Sequence, residues 1–399
     1  MEDGIISAAG PSLTAPADAE IIDAEGLLVS YGFCDLHVHF REPGNPEKET
    51  IRTGSAAAAH GGYTTVCAMP NLSPVPDSPE HLAVEQALID EGACIDVLPY
   101  GSITEGRKGG ELVDFAAMKG SCVAFSDDGS GVQADSMMLR AMEEAARQGC
   151  IIAAHCEDNS LLNGGYIHDG RYCAAHGHRG ICSESEWRQI ERDLELCAET
   201  GCRYHVCHIS TKESVELIRK AKASGVRVTC ETAPHYLLLC EDELQEDGRF
   251  KMNPPLRSAD DREALIAGLA DGTIDAIATD HAPHTAEQKS RGLEGSAMGI
   301  VGLETAFPVL YTGLVCTGRI SLERLLEALT DGPRKAFGLQ GRLEQGAAAD
   351  LVLIDTGKTY RIDSRDFFSK GKATPFDGWE VRGKVARTVK RGKTVYKAE

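Results

Sequence analysis

Two histidines with one residue between them begin the part of this sequence that could do chemistry. His37 and His39 lie in the run GFCDLHVHFR, residues 32–41, which is mostly apolar before the first histidine. Alternate side chains of a β-strand point to the same face, so the two imidazoles would point together at the end of a buried strand. Two imidazoles on one face can bind a divalent metal ion. Because His-x-His pairs also occur by chance on solvated strands, the metal interpretation depends on the rest of the chain.

Polar residues also follow the ends of several later predicted strands. In a β/α barrel the catalytic groups lie at the carboxyl ends of the strands, so these residues are expected to meet at one mouth. Singly, each has an ordinary explanation, since Ser, Asp and His often cap helices or bind loop backbone. Crowding so many ionisable groups together would be costly unless divalent cations bound them. The residues are Asn71, Asp127, Asp128, His155, His208, Asp280, His281 and His284.

The donor set predicts a particular chemistry. Neutral imidazole and carboxylate suit Zn²⁺, and two such ions would share a hydroxide and polarise a carbonyl group. Asp280 is then predicted to carry the proton, because its carboxylate can bind one ion and still reach the hydroxide. The expected cofactor is one or two zinc ions per chain, with two favoured.

An alternation of apolar strands and helices predicts the scaffold that would position these residues. Several helical patterns start with a serine N-cap and end before a glycine. Eight strand–helix units over about 300 residues indicate an α/β protein with a (β/α)8 TIM barrel over residues 31–339. The predicted strands are 33–38, 64–69, 95–100, 122–126, 151–154, 204–208, 226–231 and 274–278, and the predicted helices include 78–91, 136–148, 183–200, 210–223 and 258–269.

Both ends of the chain have a different pattern. Residues 1–30 contain short apolar pairs separated by Gly, Pro and Ala, and residues 340–399 contain strands at 346–355, 385–390 and 394–397. Turn residues 391–393 separate the last two strands. We predict that the segments 1–30 and 340–399 together form a small β-sandwich domain.

Composition excludes several classes of protein. The net charge is −20 and no Lys/Arg cluster is present, so a nucleic-acid partner is not expected. No run of 18 apolar residues and no signal peptide is evident, which predicts a cytoplasmic protein without membrane association. The 14 cysteines lack CxxC spacing and are expected to be reduced, buried apolar residues. An anionic small-molecule substrate would need local positive charge from a metal or from Arg41.

Several local motifs are more specific than the histidine pattern. They are DLHVHFREPG (35–44), MPN (69–71), FSDDG (125–129), HCED (155–158), TDHAPH (279–284), GLEG (292–295) and MG (298–299). Together they resemble dihydroorotase of the class I, long bacterial type, within the amidohydrolase superfamily. The resemblance covers nearly the whole chain and implies reversible cyclisation of N-carbamoyl-L-aspartate to L-dihydroorotate in pyrimidine biosynthesis.

The resemblance also implies roles for individual residues. Zinc ligands would be His37, His39 and Asp280 for the first ion and His155 and His208 for the second, with an aspartate bridging them, for which we choose Asp128. The substrate would contact His39, Arg41, Asn71, Asn253, His284, Met298 and Gly299, with Arg41, Asn71 and His284 holding its carboxylate. A guanidinium fits a carboxylate bidentately, which agrees with that role for Arg41.

Alternatives remain open at this point. Hydantoinases and allantoinases resemble the chain in fold and histidines, but most need a carboxylated lysine on the fourth strand, where this chain offers Asp127 and Asp128. A non-catalytic dihydroorotase-like scaffold for aspartate carbamoyltransferase would have lost metal ligands. The family also implies a homodimer, a possible association with aspartate carbamoyltransferase, and about two more strands before Ile5, so the small domain is expected to be incomplete. Residues 285–297 would be a mobile loop over the site or a surface loop.

Overall fold

Alternating strands and helices make up most of the structure. The computed structural model describes residues 1–10, 13–17 and 19–399. Its strands are β1 (Leu28–Tyr31), β2 (Phe33–Val38), β3 (Tyr63–Ala68), β4 (Asp96–Pro99), β5 (Ile151–Ala154), β6 (Ile167–His168), β7 (Gly180–Ile181), β8 (Arg203–Val206), β9 (Val228–Thr232), β10 (Ala276–Ile277), β11 (Leu351–Arg361), β12 (Glu380–Lys390) and β13 (Lys393–Lys397). Its α-helices are α1 (Ile51–His60), α2 (Pro79–Gly92), α3 (Phe115–Met118), α4 (Asp135–Gln148), α5 (Arg171–His176), α6 (Glu184–Thr200), α7 (Lys212–Ala223), α8 (Pro234–Leu238), α9 (Ala259–Ala270), α10 (Ala286–Lys289), α11 (Gly292–Gly295), α12 (Ala306–Leu310), α13 (Leu322–Leu329) and α14 (Asp331–Phe337).

Two parallel sheets, β2-β3-β4 and β5-β8-β9-β10, carry the alternating units. Isolated bridges connect them at both edges. Phe125 bridges Gly101 on one side and Ile152 on the other, and Val38 bridges His281. The strand order is that of a β/α barrel, in which the carboxyl ends of the strands share one mouth.

The predicted strand at 122–126 is not a regular strand. Its backbone still bonds to both neighbours, since the Val123 N–H donates to the Pro99 carbonyl and the Phe125 N–H to the Ile151 carbonyl. Pairing ends there because the next carboxylate, that of Asp127, accepts the N–H groups of Ile103 and Thr104. The Asp127 carboxylate thus takes the place of strand-to-strand backbone hydrogen bonds at the point where the chain enters the site.

Serine caps are confirmed for two of the five predicted helices, α2 and α9. Helix α4 instead begins at Asp135 with Ala134 as its N-cap, and Ser183 precedes α6 without a side-chain capping bond. Ser78 and Ser258 each accept a hydrogen bond from the backbone N–H three residues on, which satisfies a donor left free by the first turn. The helix predicted from residue 210 instead begins at Lys212, with Thr211 as its N-cap. Ser210 is bound to the Glu186 carboxylate and is not available for capping.

The small β unit consists of one antiparallel sheet, β1-β11-β12-β13. Tyr31, which the sequence analysis assigns to the barrel, pairs with Leu351 and therefore belongs to this sheet. Before β1, isolated bridges join Ile5 to Glu2 and to Ala348, and the described residues of this unit form no second sheet of a sandwich. The strand predicted from residue 346 begins at Leu351, after the turn at Gly346, which has a φ of 89°.

The small sheet packs against the larger α/β unit through buried polar contacts. The Thr388 hydroxyl donates to the Ala59 carbonyl at 2.6 Å. Lys390 Nζ lies 2.5 Å from an Asp96 carboxylate oxygen and 2.7 Å from one of Asp350. Among the described residues, no helix is long and apolar enough to cross a membrane.

Candidate active site

The carboxyl end of β2 brings the first two histidines to the mouth. All six residues of β2 are buried, and the ring centroids of His37 and His39 lie 5.2 Å apart. Asp35, in the same strand, accepts the backbone N–H groups of His37 and Thr279 at 3.0 Å each. The carboxylate therefore connects β2 to the segment that carries Asp280.

The Asp128 carboxylate lies between two pairs of histidines. Its Oδ1 is 3.4 Å from His37 Nε2 and 3.8 Å from His208 Nε2, and its Oδ2 is 3.6 Å from His39 Nε2. Oδ1 is also 3.9 Å from His155 Nδ1. Burial raises the pKa of Asp128, but the nearby charge of His37 and the contact with His208 hold that pKa well below its ordinary value.

His155 and His208 form the second pair. They follow β5 and β8, and His155 Nδ1 lies 3.0 Å from His208 Nε2. Asp280 lies against the first pair, since its Oδ1 is 3.1 Å from His39 Nε2 and 3.6 Å from His37 Nε2. His208 and Asp280 both have a left-handed backbone, with φ of 33° and 47°, a conformation that residues with a Cβ hold only where the surrounding structure enforces it.

The donor set fits a divalent metal centre. His37 Nε2 and Asp128 Oδ1 are buried and have no hydrogen-bond partner within the described residues, although buried polar atoms are normally paired. Potential ligand atoms from His37, His39 and Asp128, and from Asp128, His155 and His208, lie within 4.8 Å of one another. Imidazole nitrogens and carboxylate oxygens around one bridging carboxylate are a donor set that divalent ions accept.

A buried glutamate lies against His37 of the first histidine pair, and no pattern in the sequence indicates this role. Glu231, in β9, has Oε1 3.3 Å from His37 Nδ1 and Oε2 3.2 Å from His205 Nε2. Burial raises the pKa of Glu231, but His205 and His37 outweigh it and lower that pKa to about 2. A carboxylate at Nδ1 fixes the tautomer of His37 and leaves Nε2 free to bind a metal.

Replacing Glu231 by glutamine is expected to weaken metal retention by about 10- to 100-fold, because the amide cannot hold the His37 tautomer as an anion does. Metal content would be measured after dialysis against a graded series of chelator concentrations. Thr229→Ala, which removes the 2.8 Å contact with His205 Nδ1 and leaves Glu231 in place, is the control. Equal metal retention in Glu231→Gln and the unaltered protein would contradict this role.

A cavity of about 220 Å³ opens beside the histidines. Arg41 is buried there, and its Nε donates to the Pro283 carbonyl at 3.3 Å. Burial lowers the pKa of Arg41 to about 10, so the guanidinium stays charged at neutral pH. Asn71 Oδ1 lies 2.8 Å from His39 Nδ1, which places the amide between the first histidine pair and the cavity.

Two further contacts position the opposite wall. His284 Nε2 donates to the Met298 carbonyl at 2.7 Å, and its Nδ1 is buried without a partner among the described residues. Burial, followed by the charge of Arg41, lowers the pKa of His284 to about 3, which favours a neutral ring. Asn253 Nδ2 donates to Glu157 Oε1 at 3.0 Å, and Glu157 Oε2 lies 3.6 Å from His155 Nε2.

The predicted site residues therefore come together in one place. His37 lies beneath the cavity wall, and every other predicted metal, catalytic or substrate-contacting residue lines it: His39, Arg41, Asn71, Asp128, His155, His208, Asn253, Asp280, His284, Met298 and Gly299. Asp127 is turned away towards Ile103 and Thr104. Lys119 is exposed and donates to Gln148 at 3.0 Å.

The sequence comparisons decide the family. The Dihydro-orotase-like family model matches residues 26–214. The dihydroorotase of Shouchella clausii (strain KSM-K16) is 57% identical over 389 residues, covering 96% of this chain and 91% of that protein. The dihydroorotase of Bacillus cytotoxicus is 52% identical, covering 100% of this chain and 94% of that protein. The chain belongs to the dihydroorotase family.

As a dihydroorotase, the protein is an enzyme of the cyclic amide hydrolase class. Solved structures of other cyclic amidases share its architecture. The L-hydantoinase of Arthrobacter aurescens superposes with a TM-score of 0.90 at 29% identity, covering 100% of this chain and 91% of that one. The dihydropyrimidinase of Brevibacillus agri NCHU1002 superposes with a TM-score of 0.87 at 23% identity, covering 100% and 90%, which shows the fold alone.

Proposed function

We propose that the enzyme interconverts N-carbamoyl-L-aspartate and L-dihydroorotate in pyrimidine biosynthesis. The observation that carries this proposal is the presence of Arg41, Asn71 and His284 in the cavity that Asp128 and Asp280 also line. A buried guanidinium beside a candidate metal centre fits a cyclic amide with a carboxylate substituent. A neutral ring such as hydantoin offers that guanidinium no partner.

We infer that the metal centre binds two zinc ions. His37, His39 and Asp280 would hold one, His155 and His208 the other, and Asp128 would contact both. When bound, such ions lower the pKa of a water molecule to about 7 and polarise a carbonyl oxygen. The lack of a lysine on the fourth strand supports Asp128 as the bridging ligand, because Lys119 donates to Gln148 on the surface.

The side chains around the cavity would divide the remaining work. Arg41 would form a fork with the substrate carboxylate, and Asn71 would hold the same group from the side of His39. His284 presents an unpartnered Nδ1, which in the neutral ring is a hydrogen-bond acceptor. Holding a carboxylate at Nδ1 therefore requires His284 to take up a proton when the substrate binds. Asn253 and the backbone at Met298–Gly299 would contact the ring.

Asp280 would carry the proton in the reaction. In the hydrolytic direction, a water oxygen bonds to the ring amide carbon and Asp280 accepts the proton that the water loses. The carbon–nitrogen bond then breaks as Asp280 delivers that proton to the leaving nitrogen. In the synthetic direction the ureido nitrogen bonds to the carbon of a substrate carboxylic acid group, and Asp280 takes the proton that the nitrogen loses. The carbon–oxygen bond then breaks as Asp280 returns that proton to the departing hydroxyl group, which leaves as water.

The test is a comparison of substrates with purified, zinc-loaded protein. Turnover of L-dihydroorotate and of N-carbamoyl-L-aspartate is expected, with kcat/KM for dihydroorotate exceeding that for hydantoin or allantoin by at least about 100-fold, as expected where a site loses a charged partner. Turnover of hydantoin or allantoin without turnover of dihydroorotate would overturn the proposal. The second candidate, a hydantoinase-like amidase, is favoured only by the structural similarity to the Arthrobacter aurescens enzyme.

We infer the following domain organisation for this activity. Residues 31–339 would form the eight-stranded catalytic barrel, and residues 1–30 and 340–399 would form an accessory β-sandwich. The sheet β1-β11-β12-β13, built from both ends of the chain, supports this division. A homodimer, an association with aspartate carbamoyltransferase and a cytoplasmic location stay predictions from the sequence.

A further inference from the structure

Lys289 is a buried cation for which the proposed reaction has no use. It ends the short helix α10, and its side chain is 6% exposed. Its Nζ donates to three main-chain carbonyls, those of Lys251 at 3.0 Å, Ala297 at 2.7 Å and Gly299 at 2.7 Å. Burying an ammonium group is costly unless its N–H donors have acceptors. The three carbonyls supply those acceptors and so make the burial of Lys289 possible.

Two of the three carbonyls flank a residue of the cavity wall. Ala297 and Gly299 lie on either side of Met298, and both carbonyls are turned to the same ammonium group. In a trans peptide the N–H points opposite to the carbonyl, so fixing the Ala297 carbonyl also fixes the direction of the Met298 N–H. The Gly299 N–H donates in turn to the Lys251 carbonyl at 3.1 Å.

The backbone held in this way is conformationally demanding and carries a further contact. Gly299 has a φ of 129°, and a Cβ at this position would lie 2.7 Å from Ala282 atoms. The Met298 carbonyl accepts the hydrogen bond that orients the His284 ring. One ammonium group thus contacts Gly299 directly, holds Met298 through the peptides on either side of it, and reaches His284 through the Met298 carbonyl.

We propose that Lys289 is a positioning residue for substrate binding, because its ammonium group holds the Met298–Gly299 backbone and, through it, the His284 ring. The inference rests on the proposed function, since it takes the cavity as the substrate site. It also explains why residues 285–297 are organised as α10 and α11 around a buried side chain. On this proposal the segment lies behind the wall residues Met298 and Gly299 and supports them through Lys289.

Lys251 offers a matched control. It is also buried, at 5% exposure, and its Nζ donates to the Glu294 carbonyl at 2.7 Å. It therefore anchors the same segment, but through a carbonyl that does not flank Met298. A general loss of support for the segment would affect both lysine variants alike, whereas loss of the wall geometry would affect only Lys289.

The experiment compares Lys289→Met with Lys251→Met. In Lys289→Met the KM for dihydroorotate is expected to rise by about 10-fold or more, since a small misplacement of binding groups is enough for such a loss. Its kcat should stay within about 3-fold and its metal content should be unchanged, because Lys289 contacts no metal ligand. Lys251→Met is expected to change KM by less than about 2-fold. Amide hydrogen exchange at residues 297–300 should accelerate only in Lys289→Met.

Three results would overturn the proposal. The first is a folded Lys289→Met protein with unchanged KM, the second an equal rise of KM in both variants, and the third a loss of kcat without a change in KM. If the methionine variant does not fold, Lys289→Gln, which keeps two N–H donors, takes its place in the experiment. Failure of both variants to fold would assign Lys289 to stability alone. Hydrogen exchange tests this inference separately from the proposed function. Unchanged exchange at residues 297–300 in Lys289→Met would contradict the role of Lys289, whichever substrate the enzyme uses.

Discussion

The Asp280→Asn enzyme is expected to lose about 10³-fold in kcat for dihydroorotate, the middle of the range that general acid–base catalysis supplies. The amide has the size of the carboxylate but cannot accept and return a proton. Burial raises the pKa of Asp280, but the hydrogen bond with His39 and the charge of His37 outweigh it and lower that pKa, so the carboxylate is ionised at neutral pH. Steady-state rates and metal content would be measured on the same preparation, so that a lost ligand is distinguished from a lost proton carrier.

Asp275 provides a control near the opposite end of β10. Its carboxylate accepts hydrogen bonds from Lys222 Nζ at 2.6 Å and from the Cys230 N–H at 2.8 Å, and it does not line the cavity. Asp275→Asn should lower thermal stability without changing kcat by more than about 3-fold. If the metal-loaded Asp280→Asn protein kept more than a tenth of the normal kcat, another group would have to move the proton.

For Arg41→Ala the expected result is a selective loss. Removing one partner of a buried charged pair costs about 2–5 kcal/mol, so kcat/KM for dihydroorotate should fall by about 30- to 5,000-fold. Any residual activity with hydantoin should change by less than about 3-fold, because that ring has no carboxylate for the guanidinium to bind. Arg41 has a φ of 62°, and alanine keeps its Cβ, so the backbone strain is the same in both proteins.

Arg107→Ala is the matched control for charge near the mouth. Arg107 also has a positive φ, of 56°, its Nη2 donates to the Ser130 hydroxyl at 2.9 Å, and it is not among the residues that line the cavity. Its loss should leave kcat/KM within about 3-fold. An equal decrease for dihydroorotate and hydantoin in Arg41→Ala would mean that Arg41 supports the structure of the site instead of selecting the substrate.

The positions of the site residues could be predicted because they follow from local periodicity. Alternation along a strand places His37 and His39 together, and the β/α pattern places His155, His208 and Asp280 at the ends of other strands. The choice between Asp127 and Asp128 required the resemblance, since nothing local separates two adjacent aspartates. In the structure, hydrogen bonds to Ile103 and Thr104 occupy Asp127.

Glu231 and Lys289 could not be predicted, for different physical reasons. Glu231 lies in the mostly buried strand β9, and its role depends on two histidines contributed by β2 and β8. Lys289 stands in a polar segment that looks solvated, and its burial depends on carbonyls that only the folded loop brings together. The irregularity of the strand predicted at 122–126 could not be predicted, because it depends on where the Asp127 carboxylate finds the N–H groups of Ile103 and Thr104.

The single bridge between Val38 and His281 also has a consequence for folding. The His39 N–H donates to the His281 carbonyl at 2.8 Å, so the first and last strands of the ring meet among the proposed metal ligands. Ligand atoms from residues 39 and 280 become neighbours only after all the intervening units have assembled. Binding of the ions and completion of the ring are then linked equilibria, and each stabilises the other. A truncated chain that cannot bring the His39 and His281 segments together would therefore lack the complete metal-binding site.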